Sequence, residues 1–332
     1  MKPAGSSLRR VTLACALAGA ASLAAAQTPS PARLLVLLRN ASTLAIVDPG
    51  SGQVLGRVPT VKDPHEVTTD GKLAFVCSQI EGMAIIDIPA QRELRRFNPG
   101  PGSASHDVLY ANGKVYFTAE GYKAIGRYDP VTNAIDWWLG TGQNGTHMLV
   151  FSRDLNTLFM PNTASNSVSI AEGILAGPPK WQVTSVPVPG PGPEGIALSP
   201  DGRELWVASR RDGSVSIIDV AGKKLTETLK LGLKDGNRLR ITPDGRQVLI
   251  LDGGTGTLVV LDAASRQETT RVKLAPGPTG AGGFMITRDG SRAYLGLRDA
   301  HLVAVLDMKT LTVIAEYPMG PNSGPGCVAW AE

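Results

Sequence analysis

Cysteine is nearly missing from this chain of 332 residues, which has 3. Cys15 lies in an apolar run near the N-terminus, leaving Cys77 and Cys327. Two cysteines in separate strand-like runs cannot form a disulfide framework, and buried thiols are expected rather than a bond between them. An excess of one charge sign is missing too. Lys and Arg total 33, Asp and Glu 29, and the net charge is +4. Lys2, Arg9 and Arg10 supply three of those charges, so the remainder is close to neutral. That balance gives no reason to expect a nucleic-acid partner. After Ala26 no run is long and apolar enough to span a bilayer. The chain has no Cys-x-x-Cys-His, which excludes covalent c-type haem by motif. It also lacks Gly-x-Ser-x-Gly and a P-loop. Histidine is scarce, with 4 in all.

What is present begins with a leader pattern. A basic start precedes the apolar run Val11 to Ala24, and Ala24-Ala25-Ala26 is a small-residue cleavage site. Thr12-Leu13-Ala14 before Cys15 makes a poor lipobox. Residues 1–26 are therefore expected to be a cleaved secretory signal peptide, and 27–332 a single periplasmic or secreted domain.

Self-similarity dominates the rest. Asp-Gly or Asn-Gly recurs at 70–71, 112–113, 201–202, 244–245 and 289–290. Each pair follows a short apolar strand, as in Gly195-Ile196-Ala197-Leu198 followed by Ser199-Pro200-Asp201-Gly202. Third strands end alike: Ile85-Ile86-Asp87, Ile217-Ile218-Asp219, Val259-Val260-Leu261-Asp262, Val305-Leu306-Asp307. Four short strands joined by such hairpins, at a period of about 44 residues, predict an all-β, seven-bladed β-propeller. The copy at 165–190 is irregular, with an insertion around Gly177-Pro178-Pro179. Leu34 to Leu38 reads as a second strand and Cys327 to Trp330 as a first strand. The two termini should thus complete one blade and hide its edges. The Asp of Ser-Pro-Asp-Gly is turn chemistry and not a catalytic group.

The words from Pro193-Glu194-Gly195-Ile196 to Leu205-Trp206-Val207-Ala208, with Pro64-His65-Glu66-Val67 and Thr146-His147-Met148, resemble the YVTN-repeat, YncE-like propellers of exported bacterial proteins. Val115-Tyr116-Phe117-Thr118 to Arg127-Tyr128-Asp129-Pro130 also resembles the virginiamycin B lyase type of propeller. The resemblance spans nearly all of the chain after the leader. It implies the fold, and it implies no single activity, because propellers of this kind include lactonases, lyases, haem d nitrite reductases and methylamine dehydrogenase heavy chains.

Three of the four histidines share one repeat position. His65, His106 and His147 follow each other at equal steps of 41 residues, each just before an inner strand. Glu194 and Asn237 take that place in the next two repeats, then Gly282 and Gly326. In a propeller these positions meet at one end of the central channel, so a lopsided pocket is expected. Candidate ligand-binding residues are His65, His106, His147, Glu194, Asn237, Arg238 and Arg240. Glu66 and Asp107, and turn residues including Glu81, Glu120, Tyr122, Asn162, Asn166, Arg210, Arg211, Asp252 and Arg298, could complete the site.

His65, His106, His147 and Glu194 together could hold a divalent metal such as zinc, iron or manganese. The same histidines could instead cap neighbouring loops. Three functions follow. One is a periplasmic propeller, expected as a monomer, binding a small ligand, a metal or a periplasmic protein. Another is a metal-dependent hydrolase or lyase of lactonase type. The last is a scaffold or electron-transfer partner subunit.

Overall fold

The computed structural model describes Met1 and residues 32–177, 180–280 and 282–332. The expected leader, beyond Met1, lies outside the described residues. So do Pro178 and Pro179 of the irregular repeat. Seven sheets of four antiparallel strands form the ring of a β-propeller.

Blade 1 runs from Pro64–Thr69 through Leu73–Ser78 and Gly82–Asp87 to Arg92–Phe97. The inner strands of blades 2 to 6 are Val108–Ala111, Val150–Phe151, Pro193–Leu198, Gly236–Ile241 and Phe284–Ile286. The closing blade pairs the inner strand Pro325–Ala331 with Arg33–Leu38, followed by Thr43–Val47 and Val54–Pro59. The irregular repeat keeps its four strands and adds a short 3-10 turn at Ile174–Ala176.

Local chemistry explains the hairpins between first and second strands. Ser199 Oγ donates to Asp201 Oδ1 at 2.6 Å, and Gly202 N donates to Ser199 O at 2.8 Å. Thr242–Asp244 and Thr287–Asp289 repeat the arrangement. Each loop needs one left-handed residue, supplied by Gly202, Gly245 and Gly290 at φ 75, 74 and 69. Glycine takes that conformation without steric cost. In blade 3 the same position is Leu155, at φ 59. The repeated aspartate is thus consumed by the turn.

Middle strands are buried on both faces, because blades stack on each other like cards around the axis. Leu73–Ser78, for instance, is buried over Ala74 to Ser78. Outer strands such as Arg92–Phe97 alternate exposed and partly buried residues, since only one face meets a neighbour. The Trp pair of blade 2 obeys this rule: Trp137 is buried and Trp138 is 37 % exposed. Cys77 and Cys327 are both free and buried. Burial pushes both thiols well above their ordinary range, so they are inert packing groups.

Closure rests on an apolar strand from one terminus and its partner from the other. Leu34, Leu35, Val36, Leu37 and Leu38 are all fully buried. Each contributes roughly 1.5–3 kcal/mol by leaving water. Their register is Leu34↔Trp330, Leu35↔Ala329 and Val36↔Val328. Removing residues 325–332 is therefore expected to abolish cooperative thermal unfolding of the whole ring. An unchanged melting transition in the truncated chain would show that this strand does not close it.

Candidate functional site

Inner strands reach the axis through bulges. Register shifts lie between Pro64 and Val67, Pro193 and Gly195, and Gly236 and Arg238. A bulge places an extra residue and turns consecutive side chains toward one side. In blade 1 both His65 and Glu66 consequently line the same axial cavity. Blade 4 contributes Glu194 and blade 5 Arg238. A side chain at Gly195 would meet the backbone of Arg238 and Leu239 at 3.0–3.2 Å. The missing Cβ lets blades 4 and 5 approach, which brings Arg238 beside Glu194.

The three histidines do converge. The rings of His65 and His106 are 4.8 Å apart and edge-on, and those of His106 and His147 are 3.6 Å apart. His65 Nδ1 lies 2.9 Å from the Asp63 carbonyl, and its Nε2 lies 2.9 Å from Arg39 Nη2. Since arginine only donates, Nε2 accepts and Nδ1 carries the proton. Arg39 is held in turn by Asp63 at 2.6 Å.

Below the rings sits a charged triad. Arg238 donates from Nη2 to Glu66 Oε1 at 2.6 Å and from Nη1 to Glu194 Oε1 at 2.8 Å, with all three side chains buried. Arg210 reaches the other Glu194 oxygen at 3.4 Å and pairs Asp235 at the rim. Burial works against the charge on Arg238, but Glu66 and Glu194 outweigh it and raise its pKa. Burial likewise opposes charge on Glu194. His147, when protonated, and Arg238 and Arg210 overcome this, so its pKa is lowered.

The cavity enclosed by these groups measures about 230 Å³. Arg298, Gln79, Gly283 and Gly326 complete its wall with Cys327. On the glycine side the wall has Gly326 as expected at that ring position, but Gly283 in place of Gly282, which lies against the Gly296 carbonyl. A shallower hollow of about 690 Å³ adjoins it, lined by Gln79, Glu120, His147, Arg210, Arg211 and Lys234 among others. A larger hollow, about 730 Å³, is elsewhere, among surface turns and ion pairs around Arg266 between blades 4 and 5. Charged groups in its lining are spent on ion pairs such as Arg266–Glu204 and Arg203–Asp201, so size does not identify the site.

The histidines are neutral near pH 7. Burial, then Arg39, lowers the pKa of His65. Burial and the neighbouring His147 push His106 well below its ordinary value. Burial holds His147 down at about 4, against the pull of Glu194. Glu120 moves the other way, up to about 7, through burial and repulsion from Glu194. Its Oε1 lies 3.8 Å from His147 Nε2, and its Oε2 accepts from Gln79. His106 Nδ1, His147 Nδ1, Glu120 Oε1 and Arg238 Nε are buried without hydrogen-bond partners.

Other candidates are placed elsewhere. Asn237 holds the same ring position, but its side chain is buried outside the cavity lining, with neither amide atom partnered. Arg240 lines a different cavity on the far side of the triad. Asp107 accepts the backbone N–H groups of Val108 and Leu149, stitching blade 2 to blade 3. Asn162, Asp252, Tyr122 and Glu81 are spent on local hydrogen bonds or ion pairs. Sequence reasoning missed Arg39, Asp63 and Gln79. Arg39 was findable, since it begins the turn between second and third strands as Glu120, Arg210 and Arg298 do.

A metal ion does not fit the donors as they stand. His65 Nε2 faces a guanidinium, Glu194 has both oxygens engaged by arginines, and two histidine rings overlie each other rather than aim at a common point. Among the described residues no group of three or more His, Cys, Asp or Glu is placed to hold a metal.

No protein-family profile and no curated protein matches the chain in sequence. Solved structures match in fold. Hydrazine synthase of Kuenenia stuttgartiensis superposes with a TM-score of 0.68 at 18% identity, covering 80% of this chain and 89% of that one. A dihydro-heme d1 dehydrogenase gives 0.67 at 16%, covering 90% and 74%. A streptogramin B lyase gives 0.67 at 13%, covering 81% and 90%. Identities this low show the propeller fold and nothing finer.

Two outcomes follow from the site. Arg238→Ala strands two buried carboxylates and should cost about 3–5 kcal/mol in denaturant unfolding. Wild-type stability in that variant would mean that the triad carries no net interaction. For His147, the folded pKa of about 4 lies below its ordinary 6.5. The unfolded chain then binds the proton first, so this group's stabilisation is whole above pH 6.5 and shrinks as pH falls toward 4. Glu120 acts in the opposite sense, losing stabilisation as pH rises through about 7. Between pH 6.5 and 4 the wild type should lose about 3 kcal/mol more than His147→Gln. Parallel pH profiles would contradict this.

Proposed function

We propose that the protein is an exported propeller that binds a small polar ligand carrying an acidic group at the histidine face. The observation that carries this reading is the cavity wall. Four guanidinium groups, Arg39, Arg210, Arg238 and Arg298, line it with the two carboxylates Glu66 and Glu194, while Asp63, Asp235 and Asp299 pair Arg39, Arg210 and Arg298 from outside the lining. Three neutral imidazoles and several unpartnered polar atoms face the same region. Arginine forks recognise carboxylate and phosphate groups through paired N–H donors. Neutral imidazoles add hydrogen bonds without requiring a charged partner. The small volume suits a ligand of a few heavy atoms, with the adjoining hollow available to a larger one. Export rests on the leader pattern of residues 1–26.

A second reading has its own observation. A carboxyl group titrating near 7 beside an imidazole is suited to moving a proton. Glu120 and His147 would then serve a lyase or hydrolase reaction on the bound ligand.

Thermal shift with citrate, malonate and inorganic phosphate at constant ionic strength tests ligand binding. At least one should raise the melting temperature, and Arg298→Ala, at the rim, should remove most of that rise. Equal shifts in wild type and variant, or none with any of the three anions, would sink the proposal. A stoichiometric metal retained by wild type and lost in His106→Ala would replace it with the metal-dependent reading.

A further inference from the structure

The triad divides the central channel. Above it is the histidine cavity, and below it a second cavity of about 490 Å³ opens toward the other end of the inner strands. Glu66 and Cys327 border both, so they belong to the partition. The lower wall is built from the inner strands of six blades and is largely hydrocarbon, with Leu109, Phe151, Leu198 and Val328 among its residues. Its volume falls within the roughly 300–1,000 Å³ typical of small-molecule pockets.

One charged group in this apolar wall has no counter-ion. Arg240 donates from Nη1 to the Leu239 carbonyl at 2.9 Å, and its guanidinium lies 5.8 Å from the Phe284 ring centre. Among the described residues no carboxylate comes within ion-pair distance of it. The two acidic neighbours that line the same cavity are occupied. Glu66 is held by Arg238, and Asp107 accepts from two backbone N–H groups. Burial, and then Glu66, also raise the pKa of Asp107. Arginine cannot shed its proton in compensation. A lone cation on an apolar wall is costly, and an anion arriving with its own hydrocarbon body relieves that cost while covering the wall.

We infer that this lower half of the channel is a second binding site, for an amphipathic anion with an acidic head at Arg240 and a hydrocarbon body along the inner strands. It is distinct from the histidine face, because the Arg238 triad stands between the two cavities.

Decanoate, used below its micellar range, is the probe, with decyltrimethylammonium as its cationic counterpart, in calorimetric titrations of the full protein. Decanoate should bind one per chain, at least tenfold tighter than the cation. Arg240→Met, which keeps the side chain's bulk and removes the charge, should weaken it about tenfold. Leu198→Trp, which fills the cup, should abolish it, and Arg298→Ala on the opposite face should leave it unchanged. No binding to wild type, equal binding of the two amphiphiles, or undiminished binding to Arg240→Met would overturn the inference. If Arg240→Met does not fold, the amphiphile comparison and Leu198→Trp still decide the matter. The thermal-shift response to citrate, malonate and phosphate is unaffected by any of these outcomes, so the two sites stand or fall separately.

Discussion

The bridge that Arg238 makes between Glu66 and Glu194 is the contact on which the middle of the molecule depends. It ties blades 1, 4 and 5 together across the axis. Taking three charged side chains out of water is expensive, and only close mutual pairing offsets it. The surroundings are arranged for that pairing. Gly195 removes the side chain that would separate blades 4 and 5, and Arg210 shares the second oxygen of Glu194. The result is a partition that gives the channel two unlike ends.

The same triad shapes the chemistry above it. By holding Glu194 ionised and engaged, it leaves the histidines without a free carboxylate to draw a proton or complete a metal's coordination. Burial then keeps the imidazoles neutral, and Arg39 fixes the tautomer of His65. Glu120, beside His147, has its pKa raised to about 7 by burial and by repulsion from Glu194. The face is thus a set of hydrogen-bonding rings rimmed by guanidinium groups.

The blades were readable because their information is local. Ser-Pro-Asp-Gly closes its own hairpin within a few residues, and alternation tells outer strands from buried ones. The convergence of His65, His106 and His147 followed from equal spacing alone. Other features were hidden by the bulges. Simple alternation sends consecutive side chains to opposite faces, whereas the bulge lets His65 and Glu66 line one cavity. It also turns the Asn237 side chain away from the cavity that Arg238 enters. Arg238 and Arg240 are two residues apart and so share a facing, yet the rise along the strand sets them on opposite sides of the partition.

The sequence by itself determined the ring: the number of blades, the closure by both termini, and the position shared by three histidines and Glu194. Each depends on a pattern that repeats at fixed spacing or on a turn that completes itself. Only the tertiary structure decided what those residues touch. Glu66 and Arg238 are 172 residues apart, and nothing near either one specifies the other. Their meeting follows from inter-blade approach at the axis, a distance set by the packing of the whole ring.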